Sequence, residues 1–228
     1  MKRYIKIMAV FFLAAIIIFS QTQLYKDTIA ATDEEKSKWD QLLDKYKEDD
    51  DVNQLIFVKY KSGSKATLYL YQKTEEGEWK KLLSCKAYVG KKGINKKKEG
   101  DKKTPTGDFK ITAAFGRKSN PGTTLKYTKL SKNLYWCSDK KYYNKMINIK
   151  KKKHKCKGEH LIKYSPQYDY AMVIGYNTSC KYGKGSAIFL HCKGSKSYTA
   201  GCVAVSKSDM KKILKNCDSK TRICIYKK

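Results

Sequence analysis

The chain has 228 residues, a length that fits one domain of ordinary size with short additions. Hydrophobic residues make up 41% of it, which is enough for a packed core and excludes a wholly disordered protein. The formal net charge of +29 predicts an anionic partner, and nucleic acid is the first class to consider.

The first twenty residues have the pattern of an export signal. Lys2, Arg3 and Lys6 precede an apolar run from Ile7 to Phe19. That run is short for a membrane span, which needs ~20 residues, and no strong small-residue cleavage site follows it. We therefore expect residues 1–30 to be either a signal peptide or an uncleaved N-terminal membrane anchor.

Export changes what the charge predicts. An exported basic protein meets anionic wall polymers, acidic glycans or lipid headgroups, so nucleic acid is not the expected partner. The alternative is a lysine-rich solvated surface that binds nothing. The eight cysteines fit disulfides in an exported chain, although a reducing source would leave all of them free.

A helix is predicted directly after the N-terminal segment. A capping box (T-x-x-E) starts at Thr32. Apolar residues follow at i, i+3, i+4 and i+7, namely Trp39, Leu42, Leu43 and Tyr46. We expect residues 31–51 to form a helical linker and residues 52–228 to form the main domain.

From residue 52 the apolar pattern changes to period two, which is typical of strands. The predicted strands are Gln54–Tyr60, Ala66–Gln72, Trp79–Val89, Asp108–Ala114, Tyr168–Tyr176, Ser186–Cys192 and Thr221–Tyr226. A second capping box begins at Ser206 and predicts one helix after them. Lys91–Lys103 and Lys150–Lys155 are predicted to be basic loops. The expected fold class is therefore mainly β with a few short helices.

Within this pattern, the stretch Ile188–Val205 carries the candidate chemistry. His191 ends an apolar strand, and Cys202 follows eleven positions later, between small residues and a predicted helix. A cysteine nucleophile needs a nearby base, because a free thiol is mostly protonated at neutral pH. The small residues before Cys202, Ala200 and Gly201, leave room for a substrate and for backbone N–H groups.

Two other interpretations of this stretch remain open at this point. Cysteine is one of the most buried residue types, so Cys202 can be purely structural. His191, Cys192 and Cys202 can also be metal ligands, but closed zinc sites usually contain a C-x₂₋₄-C pair and the chain has none. If Cys202 is the nucleophile and the N-terminus of the following helix points toward it, that helix favours a lowered thiol pKa, with a small effect at a distance of a few residues.

Several separated motifs, in this order, resemble those of one enzyme family. They are GDKKTPTGDFKI at Gly100–Ile111, AFG at Ala114–Gly116, YWCSDKKYYN at Tyr135–Asn144, GEHL at Gly158–Leu161, VIGYN at Val173–Asn177, GKGSAIFLHC at Gly183–Cys192 and TAGCVAV at Thr199–Val205. With these motifs, residues 52–227 resemble the L,D-transpeptidase catalytic domain, which has the YkuD-like fold, in its TAGC-motif branch.

The resemblance implies a YkuD-like β-sandwich and a cysteine acyltransferase. In this family the cysteine attacks the bond after the third residue of a peptidoglycan stem peptide, and an amine of a second stem resolves the acyl-enzyme. Carried over by position, Cys202 is the nucleophile and His191 the general base. Gly201 lies in the turn that supplies oxyanion-hole amides, together with the N–H of Cys202.

The chain departs from the commoner family motif. Ala200 stands where that motif has a histidine, and Ala204 stands where it has asparagine or arginine, so substrate anchoring is unaccounted for. Candidate substrate-binding residues are the polar members of the motifs: Thr199, Asp139, Tyr143, Glu159 and His160. For the last two, a structural hydrogen-bonded pair is the alternative.

We therefore expect an extracytoplasmic L,D-transpeptidase of a bacterium, located in the cell wall or on the outer face of the cytoplasmic membrane. Its expected partners are peptidoglycan stem peptides, with anionic wall polymers in addition. Thiolate acyl transfer needs no cofactor and no metal, and Gly183–Gly185 lacks the Walker pattern of a phosphate-binding loop. The alternatives are an L,D-carboxypeptidase that trims stem peptides and a wall-binding module without catalysis.

Overall fold

The computed structural model describes residues 37–227. Two compact units divide the chain, one ending at Leu42 and one beginning at Leu43. The expected signal or anchor at 1–30, and the capping box at Thr32, lie outside the described residues. Within residues 37–227, no helix combines the length and apolarity that crossing a membrane requires.

The helices are few and short, as predicted. They are α1 (Lys38–Lys47), α2 (Ile149–Lys152) and α3 (Lys207–Lys215). The amphipathic pattern of α1 is confirmed, since Trp39, Leu42 and Tyr46 are buried. Ser206 caps α3 by accepting the Asp209 N–H at 3.1 Å, as its capping box predicts.

Strands dominate the rest of the described chain. In order they are β1 (Gln54–Ser62), β2 (Lys65–Lys73), β3 (Trp79–Tyr88), β4 (Gly107–Gly116), β5 (Tyr127–Lys129), β6 (Leu134–Cys137), β7 (Lys145–Asn148), β8 (Glu159–His160), β9 (Ala171–Ile174), β10 (Phe189–Cys192), β11 (Val203–Val205) and β12 (Thr221–Lys227). Three 3₁₀ turns lie at Lys140–Tyr142, Leu161–Lys163 and Gln167–Asp169. The predicted mainly β fold class is confirmed.

Nine strands form one sheet in the order β12-β1-β2-β3-β11-β10-β9-β4-β5. An additional pairing between β12 and β4 joins the sheet to itself, with Ile223 opposite Phe109. All strands of this order except β5 therefore form a closed ring of hydrogen-bonded neighbours. Closure leaves β5 as the one unpaired edge, which is how barrel-like sheets avoid edge-to-edge association.

The inside of this ring holds the main apolar core. Along β2, the alternate residues Ala66, Leu68 and Leu70 are buried, as the period of two requires. Leu190, Val203 and residues of α3 belong to the same cluster, which we call the barrel core. The helix after β11 thus contributes apolar side chains to this core.

A smaller sheet, in the order β7-β6-β8, accompanies a second apolar cluster. This cluster includes Phe115, Trp136, Tyr168, Phe189 and Cys202. Its aromatic rings meet edge to face, with Phe189 centred 4.8 Å from Trp136 and 5.1 Å from Phe115. The second cluster therefore supports the backbone beside Cys202 with rigid side chains.

One local prediction was wrong. Lys150–Lys155 was expected to be a solvated loop, but α2 occupies Ile149–Lys152. Asn148 caps it by accepting the N–H groups of Lys150 and Lys151. Hydrophobic periodicity could not predict this short helix, because no residue of α2 is buried and the run of lysines has no apolar face.

Candidate active site

Neighbouring parallel strands bring His191 and Cys202 to the same side of the sheet. Leu190 of β10 lies opposite Val203 of β11, and both belong to the barrel core. Successive side chains along a strand point to opposite faces, so His191 and Cys202, one residue away, face outward from that core. Eleven positions are therefore enough to bring the two side chains to one site, because the chain passes from β10 to β11 through a single loop.

The turn before Cys202 is fixed by two threonines. Thr199 Oγ1 donates to the Cys202 carbonyl at 2.6 Å and accepts the Gly201 N–H at 3.1 Å. Thr104 Oγ1 donates to the same carbonyl at 3.1 Å. Gly201 has φ +156°, and a Cβ there would lie 3.0 Å from the Lys103 carbonyl oxygen. Glycine is therefore required for this conformation.

These bonds change the expected oxyanion assignment. The Gly201 N–H, expected to face the substrate, already donates to Thr199. Thr199, a candidate substrate-binding residue, lines the site but uses its hydroxyl within the turn. The Cys202 N–H is therefore the remaining amide of the expected oxyanion pair.

The Cys202 thiol is buried, with 8% of the residue exposed. Its Sγ–H donates to the Ala187 carbonyl at 3.2 Å, and Sγ accepts the Phe189 N–H at 3.4 Å. Burial, and secondarily the nearby charge of Glu159, raise the pKa of Cys202 to about 12. The expected lowering by the helix start is wrong, since β11 separates Cys202 from α3 and desolvation dominates.

His191 is buried and neutral. Its Nδ1 lies 2.8 Å from the Cys192 carbonyl oxygen, which can only accept, so Nδ1 carries the proton. Burial lowers the pKa of His191 to about 4. The imidazole therefore keeps an unprotonated Nε2 across the neutral range, as a general base requires. Among the described residues, no hydrogen bond joins His191 to Cys202 in this resting state.

A cleft of about 780 Å³ opens over Cys202. His191, Thr199, Gly201 and Glu159 line it as well, so five of the residues singled out in the sequence share one cavity. Half-exposed tyrosines stand at its wall, with Tyr164 39% and Tyr198 37% exposed. We refer to this cavity as the cleft.

Tyr168 connects Glu159 to His191 within the cleft. Its hydroxyl donates to Glu159 Oε2 at 2.5 Å, and its ring meets His191 edge to face at 5.7 Å. Burial raises the pKa of Glu159 above its ordinary value. Tyr168 therefore orients both Glu159 and His191. The sequence did not predict this positioning role.

Lys96 is a second residue that the sequence did not single out. It lines the cleft, its side chain is only 3% exposed, and its Nζ pairs with Asp101 at 2.8 Å. Burial alone would raise the pKa of Asp101, but Lys96 and three backbone N–H groups lower it to about 2. Lys96 therefore places a cation close to Cys202. The sequence did not indicate this role, because Lys96 lies in a run of lysines that resembles an ordinary solvated surface.

Three other candidates do not line the cleft. Asp139 accepts the Lys157 N–H at 2.9 Å and lies 3.1 Å from His154 Nε2. Buried Tyr143 bonds to Glu99. His160 stacks on Tyr135 at 4.3 Å, and its Nε2 contacts the Lys132 carbonyl at 2.9 Å. These contacts account for all three residues without a substrate.

Two alternatives from the sequence are wrong. Glu159 and His160 form no hydrogen-bonded pair, because adjacent residues of β8 point to opposite faces. Cys192 faces the barrel core, so it cannot bind a metal together with His191 and Cys202. Donor atoms do converge elsewhere, at Cys137, Asp139 and Cys156. All eight cysteines are free thiols in the structure.

The comparison with known families agrees with this site. Residues 53–225 match the family model described as the L,D-transpeptidase catalytic domain (YkuD). The match extends from the start of β1 almost to the end of β12 and includes His191 and Cys202. The search of curated proteins returns no match.

Proposed function

The chain belongs to the L,D-transpeptidase catalytic domain family, and on that premise we propose that it is an exported cysteine L,D-transpeptidase that crosslinks peptidoglycan. Cys202 is the nucleophile and His191 the general base. The observation that carries the proposal is the pairing of a neutral imidazole and a thiol on one face of β10 and β11, in one cleft. The export of the domain rests on the N-terminal sequence.

In the first half of the reaction, the Cys202 thiol turns from the Ala187 carbonyl toward His191. The Sγ–H proton moves to Nε2 as sulfur attacks the carbonyl carbon of the third stem-peptide residue. The Cys202 N–H then donates to the oxyanion. The C–N bond breaks, the leaving D-residue takes the proton from His191, and a thioester remains.

In the second half, the amine of a second stem peptide attacks the thioester. His191 accepts the amine proton, the C–S bond breaks, and the proton returns to sulfur. Lys96, although paired with Asp101, lines the cleft and can donate a further N–H to a stem-peptide carboxylate, which offsets the missing polar side chain at Ala204. Attack by water in this step gives the L,D-carboxypeptidase reaction instead.

A covalent test of the nucleophile uses intact-mass analysis after exposure to a carbapenem. We expect the wild type to gain the mass of one β-lactam and the Cys202→Ala variant to gain none. Cys180→Ser, which changes a half-buried cysteine outside the cleft, should still be acylated. A reduced and folded wild type without any adduct would contradict the proposal and favour a non-catalytic wall-binding module.

A product test separates crosslinking from trimming. Purified protein is incubated with tetrapeptide-stem muropeptides, and the products are separated by chromatography and mass spectrometry. We expect dimers joined at the third residue. Tripeptide ends without dimers would leave Cys202 as the nucleophile but assign the protein as an L,D-carboxypeptidase.

A further inference from the structure

Outside the cleft, the donor side chains of Cys137, Asp139 and Cys156 converge at the end of β6, and His154 contacts the first two. Cys137 and Asp139 come from the end of this strand, and His154 and Cys156 come from the segment after α2. One ligand atom each from Cys137, Asp139 and Cys156 lies within 4.8 Å of the others. His154 Nε2 lies 3.6 Å from Cys137 Sγ and 3.1 Å from Asp139 Oδ2.

From this geometry we propose that Cys137, Asp139, His154 and Cys156 form a structural zinc site. Two thiolates, one imidazole and one carboxylate are ligand types that Zn²⁺ accepts. Bond lengths of about 2.0–2.3 Å place the ligand atoms of a tetrahedral zinc ion about 3.3–3.8 Å apart. The separations of 3.3, 3.6 and 3.1 Å among the first three ligands already approach this range.

The backbone shapes the site from both sides. Lys153, with φ 45° and ψ 46°, ends α2 and turns the chain toward β6. His154 and Cys156 are then half-buried, while the lysines between and beside them are exposed. Gly158 permits the approach, since a Cβ there would lie only 1.9 Å from the Trp136 carbonyl oxygen.

Backbone N–H groups also point at the ligands. The Gly158 N–H donates to Cys156 Sγ at 3.2 Å, and the Lys157 N–H donates to Asp139 Oδ2 at 2.9 Å. Such bonds stabilise anionic ligands and fix their orientation, which is the usual surrounding of a metal centre. The ring of Tyr142 meets the His154 imidazole edge to face at 4.9 Å and holds it in place.

The charge balance favours the ion as well. Two thiolates and a carboxylate with a divalent cation leave one negative charge. That charge lies within the lysine-rich segment 150–157, which neutralises it. The ion would clamp this segment to β6, and Trp136, Ser138, Lys157 and Gly158, the neighbours of its ligands, line the cleft. The proposed role of the ion is therefore to hold one wall of the cleft in place, from the side of that wall that faces away from the cavity.

The test is a metal titration of the full-length protein, reduced and stripped with a chelator. Co²⁺ should bind with one ion per chain and give the strong visible bands of tetrahedral cobalt, with a thiolate charge-transfer band in the near ultraviolet. Zn²⁺ should displace it. Cys137→Ser or Cys156→Ser should weaken binding at least 100-fold, and His154→Ala at least tenfold.

Matched controls locate the ion. Cys180→Ser, His160→Ala and Cys202→Ala should all bind Co²⁺ as the wild type does. Asp139→Asn, which keeps the size of the side chain, should fold normally, keep the thiolate band and bind more weakly. This variant keeps the test decisive if a cysteine variant does not fold.

Three results would overturn the site. They are the absence of a stoichiometric thiolate band in reduced wild type, loss of that band on changing Cys202, and a Cys137–Cys156 disulfide in protein isolated without reductant. Because the readout is spectroscopic, failure here leaves the proposed acyl transfer untouched, and failure of acyl transfer leaves the metal site untouched.

Discussion

The protein contains two cysteine–histidine arrangements that differ in almost every physical respect. His191 and Cys202 are placed by adjacent strands, are buried, and share no hydrogen bond. Cys137 and His154 are placed by a strand end and a turn, the first buried and the second half-buried, and they lie in one hydrogen-bonded network with Asp139. Convergence of several donors favours a metal, whereas a lone thiol beside a neutral base favours acyl transfer.

The strongest test of this comparison is to replace each of the two histidines by alanine in turn and to compare the losses. His191→Ala should lower the carbapenem acylation rate by roughly 10²–10⁴, because the general base is lost. His154→Ala should change that rate less than roughly tenfold, since in this position it acts only through the cleft wall. The measurement is stopped-flow or mass-resolved acylation, with His160→Ala as control. Equal losses in the two variants would contradict the separation.

The pH profile of acylation tests the state of the resting pair. His191 titrates at about 4 and Cys202 at about 12, so thiol and neutral imidazole coexist between those values. We expect a flat rate across the neutral range and about a tenfold loss per pH unit below the pKa of His191. Circular dichroism at each pH controls for acid unfolding. A midpoint above pH 6 would instead place the pKa of His191 near its ordinary value and contradict its lowering by burial.

Removing the proposed metal ion should have a smaller effect on catalysis. Chelation frees residues 154–158 from β6 and loosens the cleft wall formed by Lys157 and Gly158. We expect acylation to slow by less than roughly tenfold and to recover when Zn²⁺ is restored. A Cys156→Ser variant is the control, because chelator should not slow it further. Complete loss of acylation on chelation would indicate a metal within the reaction itself.

The smallest expected effect concerns Glu159. Its charge contributes to the raised pKa of Cys202, but burial contributes more. Glu159→Gln should therefore lower the thiol pKa by less than about one unit and speed alkylation by iodoacetamide less than tenfold at fixed pH. Glu99→Gln, which changes another carboxylate lining the cleft, is the matched control. A slower alkylation in Glu159→Gln would contradict the electrostatic assignment.

Local sequence patterns were sufficient for much of the fold. The β1–β2 hairpin and α3 follow from period-two alternation and from a capping box, which depend on neighbours in the chain. The closing pair β12–β4 joins residues more than a hundred positions apart, so no local pattern signals it. The same holds for α2, whose four residues carry no buried face.

The sequence predicts the two central residues of the candidate site, which the structure places in one cleft, but it does not predict their electrostatics. Motif order points to Cys202 and His191, whereas the pKa of each depends on burial created by distant strands. Lys96 and Tyr168 enter the cleft through tertiary packing, so their distance from Cys202 along the chain does not predict that they line it. The four-donor cluster lacks a C-x₂₋₄-C pair because its ligands come as C-x-D and H-x-C. Searching for pairs with one intervening residue would have found it.

The burial of Cys202 also bears on how readily its sulfur is oxidised. Because burial raises the pKa of the thiol to about 12, the thiolate is a very minor species at pH 7. Peroxides and other oxidants attack the thiolate, so the resting sulfur is chemically silent. For the exported enzyme proposed above, this would keep the sulfur reduced where no reductant is supplied. Under the proposed mechanism, the sulfur becomes reactive only when its proton passes to His191 with a substrate in the cleft.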